Sequence, residues 1–312
     1  MQHEERSSST VLAWAQLVRL PNVFTAMADV AMGVLFVRAV AGPGDVATLG
    51  LLMGASALLY VAGVVLNDVF DYPRDLAERP ERPLHSGRIS RRAAAWLGCE
   101  ALVLGAMLAW LAGFLGGSLR PGLVAAILAA SIVIYDATAK RTPAGPLVMG
   151  ACRMLNVLLG MSIAAGPWQG EHWVVAGGIG VFVTGITWFA RNEAGRSRRV
   201  PLALATVVML GGIGLLAWLP EQSERLIPRV ARQPDLWRLM MVVLGALAAF
   251  RCLPAVLEPS RGNVQRAVGN AILSLVVLDA AVCFAVRGTG PAVVILLLLL
   301  PAMLAGRWIR MT

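Results

Sequence analysis

The sequence predicts an all-α integral membrane protein, and three observations predict it. Of 312 residues, 58% are hydrophobic and only 14% are charged, whereas a soluble domain has about 45–50% and about 25%. Mean hydropathy is +0.71. The apolar residues gather into long runs, and a spanning helix needs about 20 of them. This balance excludes a soluble enzyme with one ordinary core and a disordered chain. It also excludes a disulfide scaffold. Cys99, Cys152, Cys252 and Cys283 contain no CxxC pair and lie in or beside apolar segments, as small hydrophobes do.

Taken in order, residues 1–13 read as a polar tail without the shape of a signal peptide. Spans are then expected at 22–41, 46–66, 93–116, 121–136, 145–166, 172–190, 200–219, 236–256, 265–286 and 290–308. Polar loops separate them at 67–92, 137–144 and 191–199, with a proline-rich stretch at 220–235. If the N-terminus is cytoplasmic, most of the 27 basic residues fall inside, and so do all three loops. The net charge of +9 then belongs to loops beside anionic lipid, not to a nucleic-acid surface. Lys140 is the only lysine.

The densest polar stretch is Asn67-Asp68-Val69-Phe70-Asp71-Tyr72-Pro73-Arg74-Asp75. Asp68, Asp71 and Asp75 are spaced i, i+3, i+7, which places them on one face of a helix. Three carboxylates at a membrane boundary repel unless a cation lies between them. Mg²⁺ takes oxygen ligands, often one or two carboxylates plus substrate phosphates, so a Mg²⁺–diphosphate site is expected. The alternative is a helix end neutralised by Arg74, Arg79 and Arg82. In the following loop Pro80 and Pro83 forbid regular helix, Gly87 suits a turn and Ser90 an N-cap. Arg82 and Arg88 there can hold phosphate oxygens bidentately.

These residues carry a resemblance. Asn67-Asp68-x-x-Asp71-x-x-x-Asp75 followed by Arg82-Pro83-x-x-Ser86-Gly87 resembles the first signature of the UbiA superfamily of intramembrane prenyltransferases. Arg19-Leu20-Pro21-Asn22-x-x-Thr25 resembles the approach to that family's first helix. Tyr135-Asp136-x-x-x-Lys140-Arg141 resembles its segment between helices four and five. Gly145-Pro146-x-x-Met149-Gly150-x-Cys152-Arg153-x-Leu155-Asn156 looks most like the EboC-like branch. The resemblance covers residues 14–286 and leaves 287–312 as an additional apolar helix and tail.

The resemblance implies a bundle of nine to ten transmembrane helices around a central cavity with a cytoplasmic cap. The implied location is a bacterial cytoplasmic membrane. Mg²⁺ is the implied cofactor, held by Asn67, Asp68, Asp71 and Asp75, and an isoprenyl diphosphate is the implied donor, with Lys140 on its phosphates. The donor ionises and a small electron-rich acceptor attacks the allylic cation. Tyr135, Asp136 and Arg141 fall in the matching segment. Arg153 and Asn156, at i and i+3 inside an apolar span, are expected to face the interior. Whether they meet substrate or neighbouring helices stays open.

Two departures qualify this. Where the family has a second acidic motif, this chain has Arg191-Asn192-Glu193-Ala194-Gly195-Arg196-Ser197-Arg198-Arg199. Asn192 and Glu193 are expected to support one metal while arginines such as Arg196 hold phosphate. The alternatives are transfer of a phosphorylated sugar to a polyprenyl phosphate, or a lipid-binding or transport protein without catalysis. Secondly, 290–308 contains Pro301, expected to kink it. Asp29 and Asp279 lie within spans, and an intramembrane acid faces the interior by default. Each is read either as acting on the acceptor or as a structural partner of an arginine.

Overall fold

The computed structural model describes residues 2–78, 81–191, 198–223, 230 and 233–308. Among them the chain is helical without a strand. The helices are α1 (Gln2–Leu17), α2 (Leu20–Val37), α3 (Pro43–Phe70), α4 (Tyr72–Glu78), α5 (Arg91–Leu115), α6 (Arg120–Ala137) and α7 (Gly145–Met161). They continue with α8 (Gly170–Arg191), α9 (Arg199–Ala217), α10 (Pro234–Leu257), α11 (Arg261–Arg287), α12 (Thr289–Leu297) and α13 (Leu299–Trp308). Nine helical stretches among the described residues are long and apolar enough to cross a membrane; α7, with 17 residues, is a shorter apolar helix.

The spans differ in how deeply they lie in the bundle. α2 is the most buried span, with 72% of its apolar window inside the bundle, and it packs on α3, α7, α11 and α13. The stretch 289–307 is the least buried at 17%, so it lies on the periphery against α2 and α11. Its helix breaks at Leu298. The ring of Pro301 would collide with the Leu297 carbonyl of a continuous helix, so the kink follows from the proline.

Small residues bring the central helices together. A Cβ on Gly160 of α7 would lie 2.4 Å from the Val30 carbonyl oxygen of α2, and one on Gly33 would lie 2.6 Å from that of Val157. Backbones this close hold α2 against α7 without bulky interdigitation. α7 stops at Met161, short of the expected 166. The loop after it is pinned from α6, where Arg120 Nη1 donates to the carbonyls of Ala164 (3.2 Å) and Gly166 (2.8 Å).

The polar ends gather as the charge pattern suggested. Lys140 reaches Asp71, and Arg191 Nη2 donates to the Lys140 carbonyl at 2.9 Å. The end of α3, the turn at Ala139–Arg141 and the end of α8, distant in sequence, therefore meet at one end of the bundle. α1 joins them through Ala13 and Leu17, which pack with Val65, Leu84, Ile89 and Ala94 in a small second core. Ser90 caps α5, accepting from the Ala93 amide, and Gly87 turns at φ 73°.

Candidate active site

The site begins where α3 ends. Pro73 cannot continue the helix, because its ring would strike the Val69 carbonyl. α3 therefore stops at Phe70, Asp71 takes the C-cap with φ −90° and ψ 2°, and α4 restarts at Tyr72. This corrects the expectation of one shared helical face. Asp68 and Asp75 turn to one partner and Asp71 to others. The carbonyls at the end of α3 attract basic side chains, as a helix C-terminus does. Lys140 Nζ reaches Asn67 O at 3.3 Å, Arg91 Nη2 reaches Val69 O at 3.3 Å, and Arg141 Nη2 reaches Phe70 O at 3.5 Å.

The carboxylates are paired with bases. Arg82 Nη1 lies 2.6 Å from Asp75 Oδ2 and 3.3 Å from Asp68 Oδ1, and its side chain is only 7% exposed. Arg19 Nη2 approaches the same Asp68 oxygen at 3.3 Å. Arg19 reaches it from a left-handed turn, φ 48°, the single non-glycine residue with positive φ among those described. Burial disfavours the Arg19 charge and is the largest single effect on it, but Asp68, Tyr60, Asp136 and Tyr135 together outweigh it and raise the guanidinium above its ordinary range. Lys140 Nζ lies 2.8 Å from Asp71 Oδ2, with Arg141 at 3.6 Å from Oδ1. Asn67 Nδ2 donates to Asp136 Oδ1 at 2.8 Å, while Asp136 Oδ2 is buried without a partner.

Below this charged set lies a cavity of about 370 Å³. Arg19, Asn22, Asn67, Tyr135 and Asp136 line its charged end. Leu59, Leu128, Ile132, Val183, Ile186 and Leu275 are among its apolar walls. Arg153, Asn156, Thr25 and Ser56 give it a second polar patch. Asn156 Nδ2 donates to Ala26 O (2.9 Å) and Asp29 Oδ2 (3.0 Å), and Ser56 Oγ donates to Asn156 Oδ1 (2.7 Å). Arg153 Nη2 donates to Thr25 O at 2.7 Å, and Arg153 Nε lies 2.5 Å from Asp29 Oδ2. Asn156 and Arg153 thus line the cavity and tie α7 to α2 and α3, so the helix-pairing reading holds. Asp29 has found an arginine partner.

The structure brings Asn67, Asp68, Asp71, Asp75, Arg82, Tyr135, Asp136, Lys140 and Arg141 to one end of the bundle, with Arg153 and Asn156 deeper in the cavity. Arg88 does not join them. It is exposed and donates to Ser86 Oγ, Gln16 Oε1 and Glu81 O, tying the loop to α1. These bonds place it at the contact between the loop and α1, outside the cavity lining. Asn192, Glu193 and Arg196 lie outside the described residues. The sequence reading missed Arg19 as a site residue, although Arg19-Leu20-Pro21-Asn22 had been singled out as a motif.

The donors suit Mg²⁺ in kind. Asn67, Asp68, Asp71 and Asp75 offer only hard oxygen atoms. Among the described residues no three acidic, histidine or cysteine side chains converge on one point, because Arg82 and Lys140 stand between the carboxylates. The same bases are those a diphosphate would draw to itself. A metal and a diphosphate entering together bring opposite charges into a set that is already balanced, so each can take the partners of the other.

Residues 27–220 match the UbiA prenyltransferase family, and the chain belongs to that family. It is a multi-pass integral membrane protein. It is similar to the digeranylgeranylglyceryl phosphate synthase of Ignicoccus hospitalis, 29% identical over 53% of this chain and 51% of the relative. It is also similar to that of Metallosphaera sedula, 30% identical over 51% of this chain and 54% of the relative. The chain spans about half the length of these curated relatives. Its fold is that of a UbiA homologue from Archaeoglobus fulgidus, with TM-score 0.63 at 13% identity over 94% of this chain and 98% of the other. The same homologue bound to GPP and Mg²⁺ gives TM-score 0.59 at 15% identity, covering 87% and 99%.

Proposed function

We propose that this protein transfers a prenyl group from an isoprenyl diphosphate to a small electron-rich acceptor at the cytoplasmic face of the membrane, with Mg²⁺ as cofactor. One observation carries the reading: an apolar cavity that opens at one end onto a balanced set of aspartates and bases. The solved relative bound to GPP and Mg²⁺ supports it.

Asn67, Asp68, Asp71 and Asp75 would hold Mg²⁺, which supplies charge neutralisation for the leaving diphosphate. Arg82, Lys140, Arg141 and Arg19 turn from their carboxylates toward phosphate oxygens. The apolar walls hold the prenyl chain and keep water from the allylic cation. Asn67 and Asp136 fix one another at the boundary between charge and chain. Arg153 and Asn156 orient the acceptor. The relatives are named for a prenylated glyceryl phosphate, and a glyceryl phosphate is therefore the first acceptor to offer.

The test is turnover of purified protein in detergent with prenyl diphosphate, Mg²⁺ and a panel of acceptors. Asp68→Asn and Asp71→Asn are each expected to lower turnover by at least about 100-fold while the protein elutes as a folded species. Unchanged turnover in both variants would sink the metal-site assignment. A phosphorylated-sugar donor outcompeting prenyl diphosphate would replace the reading with sugar transfer.

A further inference from the structure

Behind the cavity wall two acids face each other with no base between them. Asp29 of α2 and Asp279 of α11 are both fully buried, at 0% exposure. Their carboxyl groups lie within hydrogen-bonding reach of one another. Asp29 Oδ2 is satisfied by Arg153 and Asn156. Asp29 Oδ1 and both oxygens of Asp279 are buried without a conventional partner. Buried polar atoms are almost always paired, so three orphan oxygens on two adjacent acids need an explanation. From α3, the neutral Ser56 hydroxyl donates to Asn156 Oδ1, and the Tyr60 phenol lies near Arg153. Arg153 of α7 is the one base facing the pair among the described residues.

Two ionised carboxylates beside one guanidinium would leave an excess negative charge in the bundle interior, where an uncompensated charge is costly. One proton removes both difficulties. It leaves a single negative charge to balance Arg153, and it turns one orphan acceptor into a donor for another.

We infer that Asp29 and Asp279 share one proton as a carboxylic acid–carboxylate pair, and that this pair is the positioning device that holds Arg153, charge-balanced, in the cavity wall. Because of it Arg153 presents its guanidinium to the cavity without adding net charge there. That role for Arg153 rests on the prenyl-transfer reading, in which a neutral wall does not repel a forming cation. The shared proton itself needs no substrate.

Infrared spectroscopy of the purified full-length protein at neutral pH tests it. The wild type is expected to show a protonated-carboxyl C=O band that shifts in D₂O. Asp279→Asn should abolish the band yet melt close to wild type, because an amide can donate to Asp29 as the proton did. Asp279→Glu should keep the acid and move the band, which decides the matter if the amide variant does not fold. Asp136→Asn should leave the band in place, separating it from the buried acid at the charged end of the cavity. No band in the wild type, or a band indifferent to both Asp279 substitutions, overturns the inference. Neither result depends on transferase activity, so failure of the proposed reaction would not be mistaken for failure of the pair.

Discussion

Arg82 holds Asp68 and Asp75 at once, with three side chains of which none is more than 11% exposed. Removing the base leaves two buried carboxylates short of a counter-charge, and breaking a buried pair costs about 3–5 kcal/mol. Arg82→Met is therefore expected to melt well below wild type when divalent cations are chelated. Added Mg²⁺ should raise the melting temperature of the variant more than that of the wild type, since the released oxygens are hard ligands. Equal shifts in the two proteins would show that these carboxylates do not take the metal. At this scale the sequence was legible where chemistry is local. Asn67 to Asp75 sit within nine positions, and their composition alone announced a charged boundary. It was illegible where partners are remote: Asp29 meets Arg153 and Asn156 across more than a hundred residues, and nothing in either segment names the other.

Helix contacts decide whether those remote partners meet. α2 and α7 carry Asp29, Arg153 and Asn156, and Gly33 and Gly160 set how closely the two helices approach. Gly160→Ala puts a methyl 2.4 Å from the Val30 carbonyl oxygen, a backbone atom that cannot swing aside. The helices must part, and overpacking of this kind costs about 1–3 kcal/mol. Gly211→Ala on α9 is the matched control, because nothing lies within 4 Å of its added methyl. It should change stability by no more than about 1 kcal/mol, on the favourable side. Thermal unfolding of both in one detergent makes the comparison, and equal melting temperatures would contradict the close approach. Spans were readable from hydropathy to within a few residues, because water exclusion acts along the chain. The break at Asp71 was not, since three aspartates at i, i+3, i+7 look continuous until Pro73 is given its steric weight.

Over the whole molecule, the bundle divides one cavity between two kinds of surface. Most of the charge gathers at the end where α3, the loop after it and the turn at Ala139–Arg141 meet, Arg153 with its acids lies deeper, and α6, α8 and α11 supply apolar walls. This division is what a donor with a charged head and a hydrocarbon tail requires, and the walls, not the charged end, should then set chain length. Ile272 of α11 lines the cavity, so Ile272→Trp fills space the chain would occupy without touching the ion pairs. The ratio of kcat/KM for a short over a long prenyl diphosphate is expected to rise on the order of tenfold or more, as when a hydrophobic pocket loses room for added methylenes. Mg²⁺ dependence should stay as in wild type, because Asn67, Asp68 and Asp71 are untouched. An unchanged ratio would place the chain outside this cavity, whereas a loss of turnover with every donor alike would mean that the tryptophan disturbs the charged end after all. The bundle was legible from composition, since 58% apolar residues allow little else. The cavity was not, because its walls come from helices far apart in the chain, and each apolar face looks the same whether it meets lipid, another helix or a substrate.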